Sequence, residues 1–124
     1  MKAAILVMSD PKSGSEEALG RVFNALATTY DFKQSGDEVS ILFHGTGTRW
    51  ISELSRPDNP VHGLFELVKD KILGVSSGCA DVFGATADLK ESSFNAISEN
   101  QVPGTSGLPS LRALMADGYS ILTF

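Results

Sequence analysis

The run Ala3 to Met8, "AAILVM", restricts the fold more than any other feature of the chain. It is continuously apolar, rich in branched side chains, and ended abruptly by Ser9 and Asp10. That is too short for the apolar centre of a signal peptide, has no small-residue cleavage site after it, and falls far short of a membrane span. It reads as a strand covered on both faces, and such strands belong to parallel sheets, whose crossover connections are helices. The remainder of the chain must therefore supply helices at the right intervals.

It does so. After the first strand, Ser15 is suited to cap a helix and Glu16 and Glu17 to its first turn, while Leu19, Val22, Phe23, Leu26 and Tyr30 recur at helical spacing and Gly36 marks the end. "EVSILFHG" predicts a second strand, and "GTGTRWISELS" a loop and a short helix. Beyond Pro57 and Pro60, a helix is predicted over about Val61 to Leu73 on the spacing of Leu64, Leu67, Val68 and Ile72. "ILGVSSG" predicts a third strand running into Cys79 and a short helix containing Val82 and Phe83. The polar stretch "TADLKESSFNAISENQVPGTSG" predicts one helix and a weak strand near Gln101 and Val102. "LPSLRALMADG" predicts a last helix with Pro109 in its first turn and Gly118 at its end, and "YSILTF" a last strand.

Strands alternating with helices throughout predict an α/β fold: a three-layer α/β/α sandwich around a mostly parallel five-stranded sheet. With 124 residues, 42% of them hydrophobic and 20% charged, residues 1–124 form a single globular domain with its own core. In such sheets the site forms in the loops beyond the carboxyl ends of the strands. Four loops qualify: Ser9 to Ser15, His44 to Trp50, Ser76 to Ala80 and Pro103 to Ser110.

The net charge of −5 and the lack of a Lys/Arg cluster argue against nucleic acid and against anionic membranes. One cysteine makes an internal disulfide impossible, so the fold has no need of an oxidising compartment, and a cytoplasmic location is expected. "GVSSG" matches the nucleophile-elbow pattern, but both histidines, His44 and His62, precede the serine and the chain is too short for that hydrolase fold. "GTGTRW" lacks the third glycine of a dinucleotide fingerprint, having Trp50 there, and no P-loop ending is present. Two histidines and one cysteine without paired spacing predict no metal site. No cofactor is expected.

Cys79 is the remaining candidate for chemistry. It follows a strand and opens a helix, where free N–H groups favour a thiolate; against this, Asp81 in the same turn disfavours an anion, and lone cysteines are commonly buried as small apolar residues. On these residues alone a reactive and a structural Cys79 remain equally open. His44 and Arg49, beyond the second strand, are candidates to stabilise a thiolate or bind an anion, beside the plainer readings of a hydrogen-bonded histidine and a surface arginine. Asp10 and Ser13 are binding candidates in the first loop, where backbone capping is the default, and Ser76 is one in the cysteine turn. Trp50 reads as core or subunit interface, and His62 as structural.

The apolar first strand with "SDPKSGSEEALGRVFNAL", then "ILFHGTGTRWISEL", "GVSSGCADVFG" and "LPSLRALMADGYSILTF" resembles the DsrE/DsrF-like family of sulfur-relay proteins, in the family's order and over nearly the whole chain. The most specific elements are the cysteine turn followed by Phe83-Gly84 and the Pro-Ser-Leu helix running into the Gly-Tyr strand. The resemblance implies a cytoplasmic homo-oligomer, a dimer, trimer or hexamer, that exchanges sulfur with a protein donor and a protein acceptor. It also implies a sulfurtransferase-like role in which Cys79, at the position of the family's cysteine, carries sulfur as a persulfide. Where members of the branch it most resembles often show C-x-x-C, this chain has Ser76 and Cys79, which argues against a dithiol cycle within one chain. The competing readings are a non-catalytic oligomeric module of the same fold that binds a small anion or nucleotide, and a subunit that holds a partner enzyme.

Overall fold

Lys2–Val7 forms β1, and in the computed structural model, which describes all 124 residues, Ala3 to Val7 are buried on both sides of the sheet. Glu38–Phe43 (β2), Ile72–Ser76 (β3), Ala96–Ile97 (β4) and Ser120–Thr123 (β5) join it in one all-parallel sheet of order β4-β3-β2-β1-β5. β1 lies against β2 from Lys2↔Glu38 to Val7↔Phe43, and β2 against β3 up to Phe43↔Val75. The carboxyl ends of β1, β2 and β3 therefore finish side by side, so the loops that follow them share one edge.

Side chains alternate across the sheet, and the alternation assigns the layers. Ala3, Ile5, Val7, Val39, Ile41, Phe43 and Val75 face the main core with helices α1 (Glu16–Gln34), α2 (Trp50–Leu54), α3 (His62–Val68), α4 (Ser77–Val82) and α5 (Thr86–Glu91). Ala4, Leu6, Leu42 and Ser76 point the other way and are equally enclosed, on the side where α6 (Leu111–Ala116) packs along β5. The sandwich thus has helices on both faces, with a single short helix on the second.

Helix α1 begins where its sequence dictates. Ser15 accepts from the Ala18 N–H at 3.0 Å, Glu16 and Glu17 occupy the first turn, and Gly36 follows the last turn at φ 77°. Its buried stripe is Ala18, Val22, Ala25, Leu26 and Thr29. Phe23 and Tyr30 stay exposed, because the small side chains of Ala18 and Ala25 bring the helix close to the sheet and turn its bulky flank outward. Fully burying side chains such as Val22 and Leu26 contributes roughly 1.5–3 kcal/mol each.

Three boundaries differ from expectation. The helix predicted to reach Leu73 ends at Val68, passes through a 3-10 turn at Lys69–Lys71 and yields to β3 at Ile72, because pairing of Ile72 with Ile41 requires extended backbone there. The weak strand expected near Gln101 and Val102 lies instead at Ala96–Ile97. Two residues cannot display a period, and this strand seats against a gap in β3: a Cβ on Gly74 would come within 2.6 Å of the Asn95 carbonyl oxygen and of the Ile97 side chain. Pro109 does not enter the first turn of α6; Ser110 caps that helix by accepting from the Ala113 N–H at 3.1 Å, and Pro109 stands just before the cap.

The turn after β2 fixes the site edge. A methyl group on Gly47 would overlap the carbonyl oxygen of Val7, an oxygen that already accepts the His44 N–H at 2.9 Å. Gly47→Ala is therefore expected to lower stability by about 3 kcal/mol, since backbone and not a pliable side chain stands in the way. Gly20→Ala, with open space around it in the middle of α1, is expected to raise stability by about 0.5–1 kcal/mol. Urea unfolding of both variants checks the pair; equal midpoints would show that the turn does not rest on Val7.

Candidate functional site

Four of the six candidate residues on this edge fall into two groups. The first is built on the loop after β1, where Asp10 opens a 3-10 turn at Pro11–Ser13 by accepting from the Lys12 N–H at 2.9 Å. Its carboxylate takes both oxygens to one nitrogen of Arg49, at 3.1 and 3.0 Å, while Arg49 Nε donates to the Phe83 carbonyl at 3.0 Å and the guanidinium stands 5.7 Å above the Phe83 ring. Burial works against the Asp10 anion, but the Lys12 N–H and the Arg49 guanidinium together hold its carboxyl below the ordinary range. Arg49 ties the loop after β1 to the end of α4. Ser13 remains apart, donating to the Asp10 carbonyl at 2.8 Å and lying 3.2 Å from Ser15, so it shapes the loop.

The second group is the cysteine turn. Ser76, fully buried, accepts from the Cys79 N–H at 3.3 Å and so caps α4, while the Gly78 N–H goes to the Gly107 carbonyl at 2.7 Å. A Cβ on Gly78 would touch Gly107 and Leu108, which shows how closely the 105–108 loop covers this turn. Cys79 itself is half-buried.

Asp81 does not crowd the sulfur. It shares a helix face with Ser77, four residues away, and its carboxylate accepts from Ser106 and Thr86 at 2.6 Å each, with Ser77 and Ser106 2.7 Å apart. At about 100° per residue, Cys79 projects roughly 160° from that face. Its face-mate is Phe83, the ring beneath Arg49, and the turn Gly45–Arg49 packs against α4. The Asp81 charge that the sequence sets against a thiolate is thus engaged elsewhere.

A sequence model of the DsrE/DsrF-like family matches residues 1–124, the full length of the chain. The chain belongs to the DsrE/DsrF-like family. Among curated proteins, the uncharacterized protein MJ0733 of Methanocaldococcus jannaschii is similar to it, 29% identical over 90 residues that span 73% of each chain. No solved structure matches the chain. In this DsrE/DsrF-like chain no helix is long and apolar enough to cross a membrane.

His44 belongs to neither group. Counting on from Phe43↔Val75, it stands beside Ser76 at the ends of neighbouring strands, on the α6 side of the sheet. It is 7% exposed, and its Nε2 is enclosed with no hydrogen-bond partner. Trp50 is core, its indole N–H donating to the Ser9 carbonyl at 2.9 Å, and His62 is structural, Nδ1 donating to the Leu54 carbonyl at 2.7 Å. Sequence reasoning did not find Phe83 as the group that orients Arg49, nor Arg112 near His44; the only signal for the former was the Phe-Gly pair after the cysteine turn.

Burial holds the His44 imidazole below its ordinary value of 6.5, so the native state disfavours its proton. Above pH 6.5 both folded and unfolded chains carry neutral His44, and its contribution to stability is fully present; as pH falls, the unfolded chain binds the proton first and stability declines, until the native pKa is passed. Unfolding midpoints measured from pH 7.5 down to pH 5 are expected to fall, and to fall less steeply in His44→Gln. Identical slopes in the two proteins would show that His44 is not held neutral.

Proposed function

We propose that this DsrE/DsrF-like chain is a sulfur carrier that holds sulfane sulfur as a persulfide on Cys79. The observation that carries the reading is the placement of the chain's only cysteine. It is half-buried in the first turn of α4, at the strand-end edge of a parallel sheet whose whole length matches the family. In loading, the Cys79 thiolate attacks the outer sulfur of a donor persulfide. A bond forms from Cys79 Sγ to that sulfur, the donor's S–S bond breaks, and the donor leaves as a thiolate, with no external oxidant needed. In unloading, an acceptor thiolate attacks the same outer sulfur and Cys79 leaves as thiolate.

The local structure favours this use of the thiol in two respects. Asp81 is turned away and bound by hydroxyls, and over Phe83, on the same face of α4 as Cys79, the paired Arg49 and Asp10 add no net negative charge. Ser76 in place of a second cysteine means that no thiol of the same chain can discharge the persulfide, so the acceptor is another molecule.

Incubation with a persulfide donor followed by intact-protein mass spectrometry is expected to show an added mass of about 32 Da on wild type and none on Cys79→Ser, since one sulfur enters by thiolate exchange. A folded wild type that gains no sulfur under conditions that load a known carrier, and whose thiol resists alkylation, would overturn the reading.

The same reading includes assembly into a homo-oligomer. β5 ends the sheet with an unpaired edge, and Leu122 on it and Met8 beside it are 36% and 48% exposed. Light scattering at micromolar concentration is expected to give at least twice the chain mass; a strict monomer contradicts the assembly.

A further inference from the structure

The cavity beneath the start of α6 lies outside the thiol chemistry. It has a volume of about 420 Å³, within the range of small-molecule sites, and is lined by His44, Asn100, Leu108, Pro109, Ser110, Leu111 and Arg112. We propose that this cavity binds a small organic acid: a single anionic group against Arg112, a short apolar body on Leu108, Pro109 and Leu111, and a polar group hydrogen-bonded to the His44 imidazole.

Three observations carry this. First, of the four arginines, Arg21, Arg49 and Arg56 each pair with a carboxylate, and Arg112 does not. No acidic residue lines the cavity, so in a chain of net charge −5 this wall presents a cation without a counter-charge. Second, His44 is nine-tenths buried at that wall and its Nε2 has no partner. Its other ring nitrogen, Nδ1, also has no hydrogen-bond partner and is not enclosed, so a polar group in the cavity can pair with the imidazole there. Third, Leu108, Pro109 and Leu111 form an apolar part of the wall that suits a hydrocarbon body, while the other polar side chains there, Asn100 and Ser110, bring no charge to meet a nucleotide or a free phosphate. One arginine matches one negative charge; a phosphate dianion would bring a second charge with no donor to meet it.

The position is held firmly. Asn100 and Leu108 are joined by a backbone bridge, each N–H donating to the other's carbonyl at 2.7 and 2.9 Å, and Ser110 caps α6. His44 is anchored through its N–H to Val7. Both walls are therefore set before a ligand arrives, which keeps the ordering cost of binding low.

The probes are benzoate and butyrate, with benzamide and butyramide as neutral counterparts and inorganic phosphate as the multiply charged comparison. Binding is followed by NMR on the His44 ring and the Arg112 side chain of the full chain. Saturable shifts at both residues are expected with the acids, about tenfold or more weaker binding of the amides, and a similar loss in Arg112→Gln, because a charge-assisted pair is removed. Arg112 is exposed, so that variant should fold normally, and unchanged core methyl signals check that it has. His44→Gln gives the second arm, with weakened but not abolished binding. The proposal is overturned if the acids produce no saturable shift at His44, if the amides bind as well as the acids, if Arg112→Gln binds like wild type, or if phosphate outcompetes the carboxylates. Each of these results leaves persulfide loading of Cys79 to be judged on its own test.

Discussion

The approach of Gly47 to the carbonyl of Val7 is the contact on which the arrangement of this edge depends. The chain leaves β2 at His44, whose N–H is bound by that same carbonyl, and turns at once through Gly45–Arg49 over the end of β1. Only a residue without a side chain permits a turn so close to a strand end. From this one seat the next residues take their directions: His44 to the α6 side, Arg49 toward Asp10 and Phe83, and Trp50 into the core with its N–H on Ser9. Arg49 is hydrogen-bonded to both the loop after β1 and the end of α4, so a displaced turn would loosen that tie.

That seat also divides the edge into two electrostatic environments. On the α4 side, the guanidinium of Arg49 is matched by Asp10, whose solvent-facing carboxylate is kept ionised by its partners. The result is a neutral pair that orders the loops, not a free cation. On the α6 side, the buried imidazole resists protonation while Arg112 stands unmatched in the same cavity wall. A fixed dipolar clamp therefore lies over the Phe83 ring, and the net positive charge lies across the sheet near His44. Sequence order hides this division: His44 and Arg49 are five residues apart and belong to one loop, yet alternation past the end of β2 sends His44 to the α6 side and the turn through Gly47 carries Arg49 to the α4 side.

Much of the layer arrangement was legible because it follows from period and capping. The apolar runs of β1 and β2 and the Ser15-Glu16-Glu17 start of α1 each carry a local cause, and each element appears where that cause lies. β4 was not legible, since Ala96–Ile97 is specified by the vacancy of side chain at Gly74 on the neighbouring strand, which is a tertiary fact. The end of α3 was misread for a related reason: Ile72 keeps helical spacing with Val68, and only its partner Ile41 assigns it to a strand. At the site, the sequence offers Ser76 as a binding candidate, whereas the fold uses it as the cap of α4, accepting from the Cys79 N–H. The pairing of Asp10 with Arg49, 39 residues away, and the grouping of Arg112 with His44 depend on strand order, which no local pattern encodes.

The electrostatics of Cys79 show how a local rule and a tertiary arrangement can point in opposite directions. By sequence, Asp81 is the nearest charge to the thiol and counts against an anion there. In the fold, helix geometry turns that carboxylate to the far side of α4, where Ser106 and Thr86 supply hydroxyl donors and hold its pKa below the usual carboxylate range. Those donors come from the 105–108 loop and from α5, so two elements distant in sequence remove the objection that proximity raises. The same loop places Gly107 on the Gly78 N–H, and Ser76 takes the Cys79 N–H, so two of the donors that an isolated helix start would offer are already occupied. Stabilisation of an anion at Cys79 then rests less on the helix start and more on groups around Phe83 and on whatever brings the sulfur. For a carrier this is the useful condition: a persulfide held too well by its own protein would not be passed on, and a thiol with few local partners leaves the exchange to be governed by donor and acceptor.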